Sequence, residues 1–273
     1  MSRRVMALVA AAFVAAVSFG GAAASSSDLY TTVTVTSGTA PERRALGFGN
    51  CFRDILVKVS GDQRVLAEPA VAIEAGRAGE LISTFAFRDR LSGVPMHDEQ
   101  GSYDRPHDLT CVFDQAKLDA FLATLGRKPW LERPRLVAMV GIRDMKGAES
   151  LLAADAVAPR DQDMRTSLAA AAERQGLELV LPSQAALVAA HADIGKLPKA
   201  DPVTMSSLAR AAGGDMTLVG TLVWNDKALG WVAEWHIAGQ PTDWSTSGVG
   251  FDDAFRNGLG GAAQVLSGNE ARK

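Results

Sequence analysis

The sequence predicts an α/β protein (α+β in the wider sense) of two small domains, the second a mixed sheet in which a βαβ unit precedes an antiparallel hairpin and a closing helix. Three observations carry this. Short β-branched runs alternate with segments of helical period along the chain. Most helical segments end at a glycine, where the chain needs a left-handed residue. The stretch "RKPWLERPR", 127–135, holds two prolines and four basic residues and reads as a linker. The expected organisation is a signal peptide over 1–24, a first domain over 28–127 and a second over 133–268.

The composition is that of a soluble globular chain, 273 residues with 47% hydrophobic, 22% charged and a net charge of −3. No Lys/Arg-rich run is present, which argues against nucleic-acid binding. Arg3 and Arg4 precede an uncharged apolar stretch, Val5 to Val17, and Ala22-Ala23-Ala24 supplies small residues for cleavage after Ala24. This is the pattern of a secretory signal. An uncleaved anchor over 5–24 is the alternative, though no basic cluster follows to stop transfer. Ser2-Arg3-Arg4 hints at twin-arginine export without the rest of that signature, so the export route stays open. The expected location is periplasmic.

"LYTTVTV", 29–35, alternates and is β-branched, hence a strand. Pro41 and Glu42 open a helix running to about Val59, with Phe48, Cys51, Phe52, Ile55 and Val59 on one face. Gly61 in "VSGD" is expected to be its C-cap, with Asp62 starting the next element. The corner has neither the glycines nor the lysine of a phosphate cradle. Residues 67–83 read as one or two short helices. "STFAFRD" and "HDLTCVFD" read as strands flanking a long polar loop, and "QAKLDAFLATLG", 115–126, as a helix stopped by Gly126.

In the second domain "LVAMVGI", 136–142, is a nearly continuous apolar run, as in a strand covered on both faces. A helix over about 162–175 and a buried strand "LELVLP", 177–182, complete a βαβ unit with a parallel pair. A short helix at 183–191 and a helix at 202–213 follow. "MTLVGTLVW" and "GWVAEWHIAG" form a hairpin, "DWSTSGVG" an edge strand, and 251–267 the closing helix.

Cys51 on its helix and Cys111, which alternates with Leu109 and Phe113 on a strand, both point into the first core. In an oxidising compartment a Cys51–Cys111 disulfide fits, as do two buried thiols acting as small hydrophobes. A catalytic thiol does not fit, since both lie on core faces.

"LVKVSGD…VLAEP", "LTCVFD", "W…RPRLVAMVGIRD", "AAAERQGLELVLP", "LARAAGGDMTLVGTL" and "GWVAEWHI", in this order, resemble the exported proteobacterial family known as domain of unknown function 2066. The chain departs from that pattern in having "SQAALVAAH" where an acidic pair is expected. The second domain, through "LARAAGGDMTLVGTLVW", also resembles envelope modules such as the TolB N-terminal domain, the curli secretion lipoprotein and the outer-membrane activators of peptidoglycan synthases. The resemblance implies an envelope location and binding to another envelope protein, and no catalytic activity.

Candidate chemistry is sparse. "MHDEQGSYDRPHD", 96–108, could place His97, His107 and a carboxylate on zinc, but no fixed-spacing motif is present, and a solvated hairpin loop with ordinary charges is the favoured reading. There is no G-x-S-x-G elbow, and His191 and His236 stand in no triad context. No catalytic residue, metal or cofactor is assigned. Trp231 and Trp235 share one side of a strand, with Trp224 on its partner. They are the candidate ligand- or partner-binding residues, against the plainer reading of an aromatic cluster packed under the closing helix. The expected function is a non-catalytic envelope module that binds or scaffolds a protein. The alternatives are a glycan or small-ligand binder using the tryptophans, or a metal-dependent hydrolase.

Overall fold

The computed structural model describes residues 29–94, 104–199 and 201–269. Two sheets, each backed by helices, follow one another in the chain.

The first sheet is antiparallel, with order β1 (Thr31–Ser37), β3 (Pro106–Phe113), β2 (Ile82–Asp89). Helix α1 (Pro41–Ser60) covers one face, with Pro41 at its first turn and Gly61 in the left-handed region at φ 69° as its C-cap. Cys51, Phe52, Ile55, Leu56 and Val59 are fully buried against Leu109, Cys111 and Phe113. Their spacing makes the wide apolar stripe that a helix lying on a sheet must bury. Cys51 and Cys111 are joined in a disulfide. Helices α2 (Pro69–Ala75) and α3 (Gln115–Thr124) complete the core, α3 being capped by the Asp114 carboxylate on the Lys117 amide. Among the described residues the other face of this sheet carries no cluster of buried hydrophobic side chains. There β1 inverts the usual pattern: Thr36 is buried on the α1 side, while Val33 and Val35 are 54% and 50% exposed.

The second sheet has the order β5 (Glu149–Leu151), β4 (Leu136–Arg143), β7 (Met216–Asn225), β8 (Gly230–Ile237), β9 (Asp243–Val249). Strand β6 (Leu179–Val180) runs parallel to the start of β4, and β4 and β7 are also parallel. The remaining pairs are antiparallel. Strand β4 is buried from Leu136 to Ile142, as its continuous apolar run requires. Helices α4 (Pro159–Arg174) and α7 (Phe251–Leu266) cover one face through Met164, Leu168, Phe255 and Leu259. On the other face Leu187 of α5 (Gln184–Ala189), Leu197 and Met205 of α6 (Pro202–Ala211) pack on Met139 and Val219. Among the described residues no helix is long and apolar enough to cross a membrane.

The sequence-based elements need three adjustments. Helix α4 starts at Pro159 rather than near 162, because proline is suited to a first helical turn. "LELVLP" contributes only two paired residues, which are half-buried rather than buried, and the short strand β5 takes the far end of the same β4 edge. The "SGD" corner does more than punctuate. A Cβ on Gly61 would come within 2.7 Å of Ser267 and 2.8 Å of Trp130, so the cap is pressed against the second domain.

Trp235 fills the space between sheet and helix. A Cβ at Gly258 of α7 would sit 2.6 Å from its ring, and a Cβ at Gly220 of β7 would overlap the ring from the other side. Gly220→Ala is therefore expected to cost about 2–3 kcal/mol by overpacking, read from urea denaturation. An unchanged midpoint would mean the ring has room to move.

Candidate functional site

A cleft of about 970 Å³ opens between the first sheet and helix α4. One wall is β1 with Leu29, Thr31 and Val33, and the other is the end of α4 with Ala169, Ala170 and Glu173. Lys58, Arg133, Gly176 and Leu177 form the floor. The small side chains of Ala169 and Ala170, both exposed, keep the cleft open.

The walls are held in register by buried polar contacts. Asp62 is fully buried and accepts from Arg127 Nε at 2.7 Å, Arg64 Nε at 2.9 Å and Gln264 Nε2 of α7 at 2.8 Å. Burial alone would raise its pKa, but these hydrogen bonds outweigh it and hold the carboxyl below the usual range. Asn269, beyond α7, donates to the Ser60 carbonyl at 2.6 Å and the Lys128 carbonyl at 3.0 Å. Arg133 donates to the carbonyls of Trp130, Gln175 and Lys58 and lies 4.3 Å over the Trp130 ring. Desolvation pushes its pKa down to about 10. At the mouth, Arg174 pairs with Asp54 at 2.7 Å.

The tryptophan residues divide. Trp235 and Trp231 are buried in the second core, with Trp235 edge-on to Phe255 at 6.2 Å. Trp224 is half-buried, packs edge-on to Trp231 at 5.7 Å and donates to Asp226. Of the two readings, the packed aromatic cluster under the closing helix is the one that forms and the exposed row is not, because α7 closes over the side of β8 that carries Trp231 and Trp235. A signal was present: α7 carries Gly258 and Gly261, helix-weakening residues that make sense where the rings of Trp235 and Trp244 pass close, with Gly260 between them facing Gln63.

The opposite side of β7–β9 is polar and forms a shallow hollow of about 330 Å³ with Thr221, Glu234, His236, Asp243 and Ser245. Register places Glu234 between Thr221 and Ser245, and His236 between Val219 and Asp243. Partial burial lowers the His236 pKa, with Asp243 opposing the shift.

Of the proposed zinc residues, His97 lies outside the described residues. His107 is on β3, its Nδ1 2.8 Å from the Arg105 carbonyl, and Asp108 is paired with Arg88 and Arg90. Among the described residues no group of three or more His, Cys, Asp or Glu is placed to hold a metal ion. The signal segment, 1–24, also lies outside them.

Comparison with known families finds a match of residues 23–131 to a domain of unknown function, DUF8605. No curated protein and no solved structure matches the chain. The resemblance to domain of unknown function 2066 is thereby overturned: "LVKVSGD…VLAEP" and "LTCVFD" both fall inside the stretch matched by a different family. The physical reason is that these motifs record common needs. Gly61 is a helix C-cap, and Asp114 after "LTCVF" is a helix N-cap. Many unrelated α/β domains need the same residues there. The likeness of the second domain to envelope modules has no match behind it and is withdrawn with the rest.

Proposed function

We propose that the chain is an exported, non-catalytic binding module of the cell envelope that takes a segment of a partner protein into the cleft between its domains. The observation that carries this is the outward turn of Val33 and Val35 on a strand whose Thr32, Thr34 and Thr36 face the core side. A strand normally buries its apolar side, so the inversion is best explained by a surface that is covered part of the time. Export rests on Arg3, Arg4 and the apolar stretch that follows. The buried Trp231 and Trp235 weigh against the glycan alternative, and among the described residues of the 96–108 stretch Asp104 and Asp108 are ion-paired, which weighs against the hydrolase alternative.

Two measurements test the parts separately. A photo-crosslinking residue at position 170, on the cleft wall, is expected to give a discrete adduct in the native envelope. The same residue at Val188, which is exposed on α5 outside the cleft lining, is expected to give none. Equal labelling at both, or none at 170, refutes the cleft. Mass spectrometry of the mature protein is expected to find Ser25 as the first residue, and an intact Met1 refutes cleavage.

A further inference from the structure

We infer that the cleft binds its partner by strand addition: an extended segment pairs antiparallel with the open edge of β1 and sets a C-terminal carboxylate beside Arg133. This rests on the cleft reading above and specifies its chemistry.

The backbone of β1 fixes which groups are on offer. The Phe113 amide donates to the Tyr30 carbonyl at 2.9 Å, and the Gly38 amide to the Arg105 carbonyl at 2.8 Å. Tyr30 and Gly38 mark the two ends of the β1–β3 ladder, and both are even-numbered. In an antiparallel pair bonded residues alternate, so Thr32, Thr34 and Thr36 also face β3. The odd-numbered Thr31, Val33 and Val35 turn their amides and carbonyls away from the sheet. The Thr31 carbonyl follows this rule, accepting from Lys58 Nζ at 2.8 Å. Among the described residues neither Val33 nor Val35 has a backbone partner on that side. Two amides and two carbonyls are therefore presented in strand geometry.

Edge strands are ordinarily protected by Pro, Lys, an inward charge or a bulge. "TTVTVTS" has none of these, and β1 pairs with β3 without a register break. The edge keeps the properties of a template, and main-chain pairing is the means by which such edges take up peptides.

Charge sets the direction. Arg133 is a largely desolvated cation whose hydrogen bonds all go to carbonyls, and no carboxylate of the described residues lies within ion-pair reach of it. The other charges on these walls differ: Arg174 is paired with Asp54 and Glu178 with Arg135, while Glu173 is exposed and screened by solvent. Guanidinium has five N–H donors, and the Arg133 bonds leave one on Nη1. That atom borders the cleft, because a Cβ added to Gly176 would sit 3.4 Å from it and 3.2 Å from Lys58 Cε. Arg133 lies at the Thr31 end of β1, beside Lys58, whose Nζ is held on the Thr31 carbonyl. An antiparallel segment ends there, so its terminal carboxylate meets Arg133 and a parallel one would not.

The test uses an acetylated hexapeptide of alternating threonine and valine, with either a free carboxyl or an amide terminus, added to the full mature protein. Hydrogen exchange of the Val33 and Val35 amides is expected to slow at least about fivefold with the free-carboxyl peptide, while Thr34, already paired, does not change. The amide form should bind about tenfold more weakly, the share expected of one charge-assisted hydrogen bond. Val33→Pro removes one outward amide and leaves the β3 ladder intact, so it should abolish the effect without loss of fold. Unchanged exchange at Val33 and Val35 overturns strand addition, even where a crosslinked adduct at position 170 keeps the cleft itself in place. Equal affinity of the two peptides overturns the carboxylate site at Arg133. Should the proline variant fail to fold, the exchange of the unsubstituted protein still decides.

Discussion

Replacing Cys51 and Cys111 together by alanine is expected to cost about 4 kcal/mol of unfolding free energy. The bridge spans 60 residues, and closing a loop of that length removes roughly this much entropy from the unfolded chain. The two sulfurs are fully buried between α1 and β3, so the native state also loses packing. The bridge ties the centre of the core helix to the central strand of the first sheet, and the loop between them contains β2 and α2. Without it, α1 retains Phe52, Ile55 and Leu56 as anchors, so the variant should fold, with a lower midpoint in urea. Thiol titration of the denatured wild-type protein should find no reactive group. Equal midpoints for wild type and double variant, or two titratable thiols in exported protein, would sink the claim.

The case of the cysteines shows what kind of information a sequence holds. Cys51 and Cys111 could be set in one core because helical and strand periods each name a buried face, and a face needs only local spacing. The same holds for Gly61, whose left-handed φ follows from its place after an apolar helix. Periodicity was silent on three other points. In "TTVTVT" it gives the alternation of β1 but not its sign, since Thr and Val have similar bulk and β-propensity. Trp231 and Trp235 were correctly put on one side of β8, yet only the tertiary closure of α7 says that side is covered. Asp62 was read as starting the next element. Locally that is so, as its side chain caps the short 3-10 helix Gln63–Ala67 by accepting from the Arg64 amide. Its remaining partners, Arg127 and Gln264, are 65 and 202 residues away. No local pattern announces a contact of that range. The cleft was missed for the same reason, since it is made of residues from β1, α1, the linker and α4 that have no common motif.

Asp62→Asn should be the most damaging conservative substitution, costing about 3–5 kcal/mol at neutral pH. The carboxylate is the meeting point of Arg64 and Arg127 from the first domain and linker and of Gln264 from α7. Asparagine keeps the shape but turns an acceptor oxygen into a donor and leaves the 11%-exposed Arg127 side chain without its close counter-charge. Breaking a buried pair by removing one partner is far costlier than never having built it. The pH dependence separates this from mere misfit. The folded pKa is depressed, so the stabilisation is present above the unfolded value near 3.9 and is lost as pH falls toward the folded one. The gap between wild type and variant should therefore be full at pH 7 and narrow below about pH 4. Because Gln264 belongs to the second domain, the variant should also expose the 127–135 linker to protease before either core unfolds. A variant with the wild-type midpoint at pH 7 would reduce the corner to a helix cap, and the walls of the cleft would then need some other support than Asp62 to stay fixed.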